Sequence, residues 1–261
     1  MHNIFTSVSV PIPYKNLRIV SKPYLTILLA CTCFLVSFTP IKESRENAKP
    51  SVTKSIENSE ISYKTASQRL YDSLKLNEYG LSKQALEYAY KGYQKLEDKG
   101  LIKTPGILTI CDFTKSSFEK RMFVLDVVNY RLLVNTYVAH GKNSGVEYAK
   151  KFSNQMRSLA SSLGFFITKN IYFGKHGLSL KLAGLEPGFN DKAEKRAVVV
   201  HGAPYIGDRR LQYQYMGRSF GCPAVPQSVA PTVINLIKDG TCLFIYHPSK
   251  NYLRGSRILN G

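Results

Sequence analysis

The sequence is short of acidic residues and contains no tryptophan. It has 18 Asp and Glu against 36 Lys and Arg, which gives a formal net charge of +18. An excess of positive charge of this size favours an anionic partner. Nucleic acid is not indicated, because the sequence has no Walker loop, no zinc-finger spacing and no aromatic run typical of RNA-recognition motifs. We therefore expect no nucleic-acid partner, and an anionic polymer or a membrane surface accounts for the charge equally well.

Long apolar segments are missing apart from one near the N-terminus. The run Tyr24–Phe38 is uncharged, follows three basic residues and has no acidic residue before it. This layout is typical of an export signal. The run is shorter than the roughly 20 residues of a membrane span, although its extension to Ile41 makes an uncleaved anchor possible. Residues 1–40 are therefore predicted to be a signal peptide or an N-terminal membrane anchor, with the rest of the chain outside the cytoplasm.

Cysteines are few, at five in the chain. Two lie in the apolar run, where Leu28–Cys31 resembles a lipobox, although the apolar residues after Cys31 count against lipidation. The others are Cys111, Cys222 and Cys242, and in an oxidising compartment an odd number leaves at least one thiol unpaired. Cys111 and Cys242 either pair or are buried, and we favour small apolar packing. None of the three has a second Cys or His at zinc-ligand spacing, so neither a metal nor another cofactor is expected.

The N-terminal part of the exported chain divides into two segments. Residues 41–62 are polar, of mixed charge and almost without apolar periodicity, which predicts a linker. Residues 63–104 are predicted to form a helical module, because Thr65–Gln68 fits a capping box and a second helix is indicated from about Ser82 to Asp98. The tyrosine-rich face of this second helix could stack on sugars, but at helical spacing it more often packs on a neighbouring domain.

Strand patterns dominate from residue 105 to residue 261. Short β-branched or aromatic runs alternate with turn residues, which predicts a mainly β domain and an α+β chain overall. Helices are predicted at about 144–159 and 227–238, and Tyr172–Asn190 is predicted to be largely a polar loop. The predicted strands are Gly106–Thr109, Met122–Val127, Arg131–Val138, Gly164–Thr168, Ile171–Phe173, Ala197–Val200 and Thr241–Tyr246.

The sharpest chemical signal is the segment Gly217–Pro223, with the sequence GRSFGCP. It places Cys222 in a turn of small residues just ahead of the predicted helix at 227–238. The backbone N–H groups of such a turn and a helix N-terminus favour a thiolate, and the same N–H groups can hold an oxyanion. Gly221 lets the backbone approach a substrate carbonyl. Cys222 is thus a candidate nucleophile, although the turn alone also fits a buried structural cysteine.

A thiol nucleophile needs a base, and the chain has five histidines. His201 is the best candidate, because it leaves the end of an apolar strand and precedes Cys222 by enough residues for an intervening loop. Such a pair forms in space rather than in sequence. His140 closes a predicted hairpin and His176 lies in the polar loop, where structural roles are more common. Loops also carry functional residues, so His176 is retained as a candidate contact to the substrate.

Together these residues resemble a known family. His201-Gly202 followed by Ser219-x-Gly221-Cys222 is similar to the signature of the murein L,D-transpeptidase catalytic domain. The similarity covers about 106–260 and includes Tyr172–Asn190, Arg196 and the block GRSFGCPAVP. The resemblance implies a β-sandwich catalytic domain of the bacterial envelope, a metal-free cysteine acyltransferase, and peptidoglycan stem peptides as its partner.

The resemblance also implies a role for each signature residue. Cys222 is the nucleophile and His201 deprotonates it, while the main-chain carbonyl of Gly202 orients the imidazole. The N–H groups of Gly221 and Cys222 form the oxyanion hole, and Ser219 supports the turn or contacts the donor. In the family a tetrapeptide stem is cut between its L-centred diamino acid and the terminal D-alanine, and the acyl group then passes from the cysteine to an amine.

Two positions depart from the family pattern. Phe220 stands where many relatives have His or Arg, and Ala224 where they have Arg or Asn. Donor binding is therefore expected to differ. Arg218 is the substitute that we predict for holding a substrate carboxylate through a bidentate pair, and the alternative is a surface ion pair. Tyr205 and His176 complete the candidate substrate-binding residues.

Three functions follow from these residues. We expect an L,D-transpeptidase that crosslinks or remodels the cell wall. Water in place of the amine acceptor would give an L,D-carboxypeptidase, and a peptidoglycan-binding protein without activity is the third alternative. The presence of both Cys222 and His201 argues against the last. In each case the protein is expected in the cell envelope, soluble after cleavage or anchored by its N-terminal segment.

Overall fold

The structure is a computed structural model that describes residues 52–261, with side chains from residue 62 onward. The predicted signal peptide or anchor at 1–40, including the alternative lipobox at Cys31, lies outside the described residues. Within the described part of the chain, no helix combines the length and the apolar character that a membrane span requires.

Two helices open the described chain. Helix α1 spans Val52–Ser73 and helix α2 spans Lys83–Asp98. The Ser82 side chain caps α2 by accepting a hydrogen bond from the amide of Ala85 at 3.3 Å. The predicted linker at 41–62 is wrong from Val52 onward, and the predicted capping box lies inside α1. No glycine or proline interrupts α1, and a polar sequence with good helix propensity can be helical without apolar periodicity.

Eight strands form one hydrogen-bonded sheet in the order β3-β2-β1-β8-β4-β5-β6-β7. Their bounds are Ile107–Asp112 (β1), Met122–Asp126 (β2), Arg131–Thr136 (β3), Gly164–Gly174 (β4), Gly177–Gly184 (β5), Val199–Ala203 (β6), Ala224–Pro226 (β7) and Cys242–Tyr246 (β8). The pairs β1–β8 and β6–β7 are parallel and the other neighbours are antiparallel. The predicted mainly β fold with a small N-terminal helical module is confirmed.

The two edges of this sheet meet beside β7. Beyond β3 the chain reaches Ala139, which forms an antiparallel bridge to Ala224 and donates its amide to the Ala224 carbonyl at 2.7 Å. A second bridge joins Gly141 to Ser219. These bridges pair backbone groups that an open edge would leave unsatisfied. They also fix the segment that contains Cys222.

Helices cover the sheet and bury its core. The apolar face of α2 packs on β1 and β8, and Leu86 and Tyr93 belong to the same core cluster as the strands. The predicted packing role of this tyrosine-rich face is therefore confirmed. Helix α3 (Ala230–Ile237) packs on β5 and β6, and α4 (Lys250–Gly255) and α5 (Arg257–Asn260) follow β8.

The helix predicted at 144–159 is absent. These residues form turns and irregular backbone, with left-handed conformations at Arg157 (φ 58°) and Leu159 (φ 56°). The guanidinium of Arg196 donates to the Ser153 carbonyl at 2.8 Å and to the Ser158 hydroxyl at 3.1 Å. These tertiary hydrogen bonds stabilise a non-helical path, and local propensity does not report them.

A long hairpin replaces the predicted pair of short strands and the polar loop at Tyr172–Asn190. Strands β4 and β5 pair along most of their length, with a register shift between Thr168 and Ile171. The two predicted strands are thus one strand with an irregularity. The loop prediction is wrong for 177–184, because β5 pairs with β6 on its other side.

Cys111 and Cys242 are buried and free. They lie on the neighbouring strands β1 and β8, but the register pairs Cys242 with Leu108 and Cys111 with Ile245. An offset of three residues along a strand places the two Cα atoms about 10 Å apart, whereas a disulfide requires less than about 7 Å. The structure therefore supports packing and excludes the pairing alternative.

Candidate active site

His201 lies within β6 and is 2% exposed. Its neighbours across the sheet are Ser179 in β5 and Ala224 in β7. The Nδ1 atom lies 2.8 Å from the carbonyl oxygen of Gly202. In the tautomer that satisfies this contact, Nδ1–H donates to the carbonyl and Nε2 is the free acceptor. The strand and this hydrogen bond together set the orientation of the ring.

Cys222 lies two residues before the start of β7, at the end of a tightly bonded turn. Ser219 donates its hydroxyl to the Cys222 carbonyl at 2.6 Å and accepts the Gly221 amide at 3.1 Å. The Ser219 amide in turn donates to the His140 carbonyl at 3.0 Å. Gly221 has a φ of 120°, and a Cβ at this position would lie 2.8 Å from the Ala160 carbonyl oxygen. The turn therefore requires glycine at position 221.

The helix predicted at 227–238 is confirmed as α3, but α3 begins only at Ala230. Pro223 and strand β7 lie between Cys222 and this helix. A helix dipole acts over about one turn, so α3 does not provide the predicted stabilisation of a thiolate. The sulfur instead accepts the Val199 amide at 3.5 Å, and the thiol donates to the Ala197 carbonyl at 3.7 Å.

Burial raises the pKa of the Cys222 thiol above its ordinary value. The Val199 amide and the positive charges of Arg196 and Lys175 lower this pKa, but their combined effect is smaller than that of burial. Removal of water disfavours a thiolate unless the surrounding charges compensate fully. The resting side chain of Cys222 is therefore a neutral thiol.

Burial lowers the pKa of His201, and the hydrogen bond to Gly202 opposes this effect. The charges of His176 and Lys175 lower the pKa of His201 further. The imidazole is thus neutral at physiological pH, with Nε2 unprotonated. It is in the form that can accept a proton.

Cys222 and His201 line the same cavity, which has a volume of about 700 Å³. The tip of the β4–β5 hairpin, the segment before β6 and the turn at 218–222 form its walls. All three predicted substrate-binding residues, Arg218, Tyr205 and His176, also line it. The fold thus brings together residues that are far apart in the sequence.

Arg218 is held by the neighbouring backbone. Its Nη1 donates to the carbonyls of Lys142 and Gly145, each at 3.1 Å, and its guanidinium lies 4.5 Å from the centre of the Tyr215 ring. These contacts do not match the alternative of a surface ion pair. They leave the bidentate role toward a carboxylate as a prediction, because one of the guanidinium nitrogens is already engaged.

The sequence analysis missed Arg196 as a site residue, although it lay in the segment with the family resemblance. Its Nη2 donates to the Ala160 carbonyl at 2.6 Å, and Arg196 lines the cavity with Cys222. Its position before β6 gives a weak signal, since an arginine beside an apolar strand is common. Its role depends on the irregular segment at 153–160, which the sequence analysis predicted to be a helix.

His176 occupies the tip of the β4–β5 hairpin. Its ring stacks on the ring of His201, with centroids 4.2 Å apart and an angle of 21° between the planes. The sequence analysis placed His176 in a loop and did not predict this contact. The sequence patterns predict two short strands and a polar loop here, and with the hairpin divided in this way the approach of His176 to His201 could not be predicted.

His140 is fully buried and belongs to a structural network. Its Nδ1 lies 2.8 Å from Nη2 of the buried Arg121. Burial and the Arg121 charge lower the pKa of His140 to about 4. The predicted structural role of His140 agrees with these contacts.

In residues 52–261, no three His, Cys, Asp or Glu side chains converge in a way that could hold a metal ion.

Phe220 and Ala224, the two departures from the family pattern, have different environments. Phe220 is 64% exposed at the mouth of the cavity, and Lys142 Nζ lies 5.0 Å from the centre of its ring. Ala224 is fully buried in β7. A large polar side chain therefore has no room at position 224, whereas position 220 faces incoming molecules.

Comparisons with known proteins place this geometry in a wider context. A solved L,D-transpeptidase from Mycobacterium smegmatis is 14% identical, with a TM-score of 0.35, over 54% of this chain and 59% of that chain. An L,D-transpeptidase solved with imipenem gives 14% identity and a TM-score of 0.34 over the same shares. An L,D-transpeptidase from Xylanimonas cellulosilytica is 19% identical, with a TM-score of 0.32, over 64% of this chain and 81% of that chain. The chain spans 59% of the length of the first two structures. A comparison with curated protein sequences found no match.

These structural similarities are too low to assign a family. The assignment rests on a sequence profile of the L,D-transpeptidase catalytic domain, which matches residues 77–246. The matched residues make up well over half of the chain and include β6, β7 and all the residues that line the cavity. The chain belongs to the L,D-transpeptidase catalytic domain family.

Proposed function

We propose that the chain is an L,D-transpeptidase of the cell envelope that acts on peptidoglycan tetrapeptide stems. Cys222 is the nucleophile and His201 is the general base. The observation that carries the proposal is that both residues line one cavity, with His201 Nδ1 2.8 Å from the Gly202 carbonyl oxygen. A base whose second nitrogen is fixed presents Nε2 in a defined direction, as nucleophile activation requires.

In the first half-reaction the thiol hydrogen turns from the Ala197 carbonyl to Nε2 of His201. As Nε2 accepts the proton, the sulfur attacks the carbonyl carbon of the diamino acid, which is joined to the nitrogen of the terminal D-alanine. The C–N bond then breaks, and the imidazolium gives the proton to the departing D-alanine amine. The products are free D-alanine and a thioester on Cys222.

In the second half-reaction an acceptor amine attacks the thioester carbonyl. His201 takes a proton from the amine and returns it to the sulfur as the C–S bond breaks. The result is a new amide crosslink and a regenerated thiol. Water in place of the amine gives a trimmed stem and corresponds to the L,D-carboxypeptidase alternative.

The developing oxyanion needs backbone donors near the sulfur. The amide of Cys222 is one candidate. The Gly221 amide donates to Ser219 Oγ at 3.1 Å, so it can serve the oxyanion only if this bond weakens as the substrate binds. We propose that the main role of Ser219 is structural, because its hydroxyl stabilises the turn and holds the Cys222 backbone in place.

The proposal is tested by incubating the full chain with purified tetrapeptide muropeptides and weighing the products. We expect crosslinked dimers. Trimmed tripeptides without dimers would indicate a carboxypeptidase, and unchanged muropeptides would indicate a binding protein. Intact-protein mass spectrometry with a carbapenem provides a second readout, because a β-lactam that acylates the thiol adds its mass to the protein.

Two variants assign the roles. Cys222→Ser should fold but lose both turnover and labelling, since a serine hydroxyl is poorly activated at a thiol site. His201→Gln should slow acylation by about 10²–10⁴-fold, the usual effect of losing a general base. Cys111→Ser is the matched control, because the same substitution at a buried cysteine outside the cavity should preserve labelling in the folded protein. Labelling that persists in Cys222→Ser would contradict the assignment.

A further inference from the structure

We propose that His176 is a positioning residue for His201 rather than a contact to the substrate. This inference rests on the proposed role of His201 as the base. The two imidazole rings are stacked with centroids 4.2 Å apart and planes 21° from parallel. In this geometry the ring of His176 covers one face of the ring of His201.

The backbone explains how His176 reaches this position. Gly174 and Gly177 face each other in the register of β4 and β5, so Lys175 and His176 form a two-residue hairpin tip. Gly177 has a φ of 73°, a left-handed conformation that glycine adopts without strain. Further along β5, Ser179 pairs with His201 in β6. The hairpin tip therefore lies a short way along β5 from the residue that pairs with His201, and the His176 ring reaches the ring of His201.

The exposure of His176 indicates that its side chain orients His201 rather than stabilising the hydrophobic core. His176 is an exposed residue, whereas His201, on which its ring stacks, is 2% exposed. An exposed side chain contributes little to the packing of the core, so its replacement should cost little stability. What its ring does contribute is a second restraint on the base. The Gly202 carbonyl holds one edge of the imidazole and His176 holds one face, which leaves Nε2 open to the cavity.

The stack also bears on the charge of the base. Two stacked imidazoles disfavour simultaneous protonation, because like charges at this distance repel. His176 thus helps to keep His201 neutral before the reaction. When His201 accepts the thiol proton, the neutral ring of His176 faces the new imidazolium, a favourable cation–π arrangement. The same contact therefore favours the neutral base at rest and tolerates its protonated form during the reaction.

Other titratable groups also surround His201 and must be considered in any pH measurement. Helix α3, which packs on β6, has no charged side chain. The titratable or charged residues that line the cavity with His201 are Tyr172, Lys175 and His176 from the hairpin, Arg196, Tyr205, Arg218 and Cys222. Strand β5, which pairs with β6, adds Lys181.

The experiment compares the full chain with His176→Ala, His176→Phe and Phe173→Ala. Phe173 is 82% exposed on the same hairpin and does not line the cavity, so its variant controls for damage to the hairpin. The titration of His201 is followed by NMR of its ring Cε1–H group. Acylation by a carbapenem is followed from acid to neutral pH by intact-protein mass spectrometry. Circular dichroism checks that each variant is folded.

We expect His176→Ala to shift the His201 titration to higher pH and to slow acylation by about tenfold or more, the effect of a misplaced catalytic group. His176→Phe keeps a ring over His201 and removes only the charge. It should therefore retain most of the acylation rate and shift the titration less. Phe173→Ala should leave the titration and the rate unchanged.

An unchanged His201 titration in a folded His176→Ala variant would overturn the proposal. If His176 instead contacted the substrate, both His176 variants would need a higher donor concentration to reach half of the maximal rate, and the His201 titration would be unaltered. This result would also overturn the proposal. If the wild-type protein is not acylated at all, the proposed function fails. The NMR titration then still decides whether His176 controls the environment of His201.

Discussion

The thiol of Cys222 and the imidazole of His201 are both held in their neutral forms. Burial raises the pKa of the thiol and lowers that of the imidazole, and the nearby charges of Arg196 and Lys175 do not reverse the effect on the thiol. A preformed thiolate–imidazolium pair is therefore not the resting state. In the mechanism that we propose, the proton therefore moves during the attack on the substrate, and we expect the rate to depend on Nε2 being unprotonated.

This arrangement predicts an unusual pH dependence. A lowered pKa means that His201 loses its proton below the ordinary value of about 6.5. Acylation should therefore rise with pH through the acid range and reach its plateau below that ordinary value. Alkylation of Cys222 by iodoacetamide, which follows the thiolate, should rise at a pH above the ordinary cysteine value because the pKa of the thiol is raised. Alkylation that is already complete at neutral pH would contradict the neutral pair.

The shared position of Cys222 and His201 in one cavity could be anticipated from the sequence because the signals of both residues are local. Cys222 lies in a glycine-containing turn, and His201 lies in a β-branched run that delivers it to one edge of the sheet. The residues around them could not be predicted in the same way. His176 contacts His201 because the long β4–β5 hairpin brings its tip to the base, and Arg196 is held in the cavity wall by hydrogen bonds to the irregular segment at 153–160.

Among the secondary-structure elements, strands were predicted more accurately than the helices near the site. The continuous apolar runs of β2 and β8 indicate strands that are buried along their whole length, and Ser82 indicates the start of α2. The helix predicted at 144–159 failed because Arg196, distant in the sequence, provides the hydrogen bonds that stabilise the observed path. Local patterns fail where a segment is held mainly by a distant residue.

The packing of α2 on the sheet leads to a prediction at Gly92. Replacement of a helical glycine by alanine normally stabilises a helix by up to about 1 kcal/mol. Here the new Cβ would lie 2.0 Å from Cζ of Phe165, which is fully buried and stacked on Phe244 with ring centroids 4.2 Å apart. Overpacking of this kind costs about 1–3 kcal/mol. We therefore expect Gly92→Ala to lower the free energy of unfolding, measured by urea denaturation.

A double-mutant cycle separates this clash from other effects. Phe165→Leu alone should be destabilising because it removes buried ring atoms. In that background Gly92→Ala should cost less, or become stabilising, because the obstructing atoms are gone. Equal costs of Gly92→Ala in both backgrounds would show that the clash with Phe165 is not responsible.

Taken as one body, the described chain does not divide at the boundary predicted between residues 104 and 105. The described residues 52–261 belong to one compact unit, and the core cluster contains Leu70, Leu86 and Leu96 from the helical side together with the strands. Hydrogen bonds also cross the boundary, such as the one from the Gly106 amide to the Tyr93 hydroxyl at 2.8 Å. The family profile likewise begins at residue 77, ahead of that boundary.

A truncated chain tests whether the helical module is separable. A protein that begins at residue 105 should lack the cover over β1 and β8, so core side chains such as Phe244 would meet water. Burial of apolar area is the main stabilising contribution to folding, and total stability is only about 5–15 kcal/mol. We expect this chain to lose its near-ultraviolet circular dichroism, to aggregate on size-exclusion chromatography and to lose carbapenem labelling at Cys222. A protein that begins at residue 50 keeps α1 and α2 and should retain all three properties. Cooperative unfolding and labelling of the shorter chain would instead establish residues 105–261 as an independent catalytic domain, with the helices as an accessory.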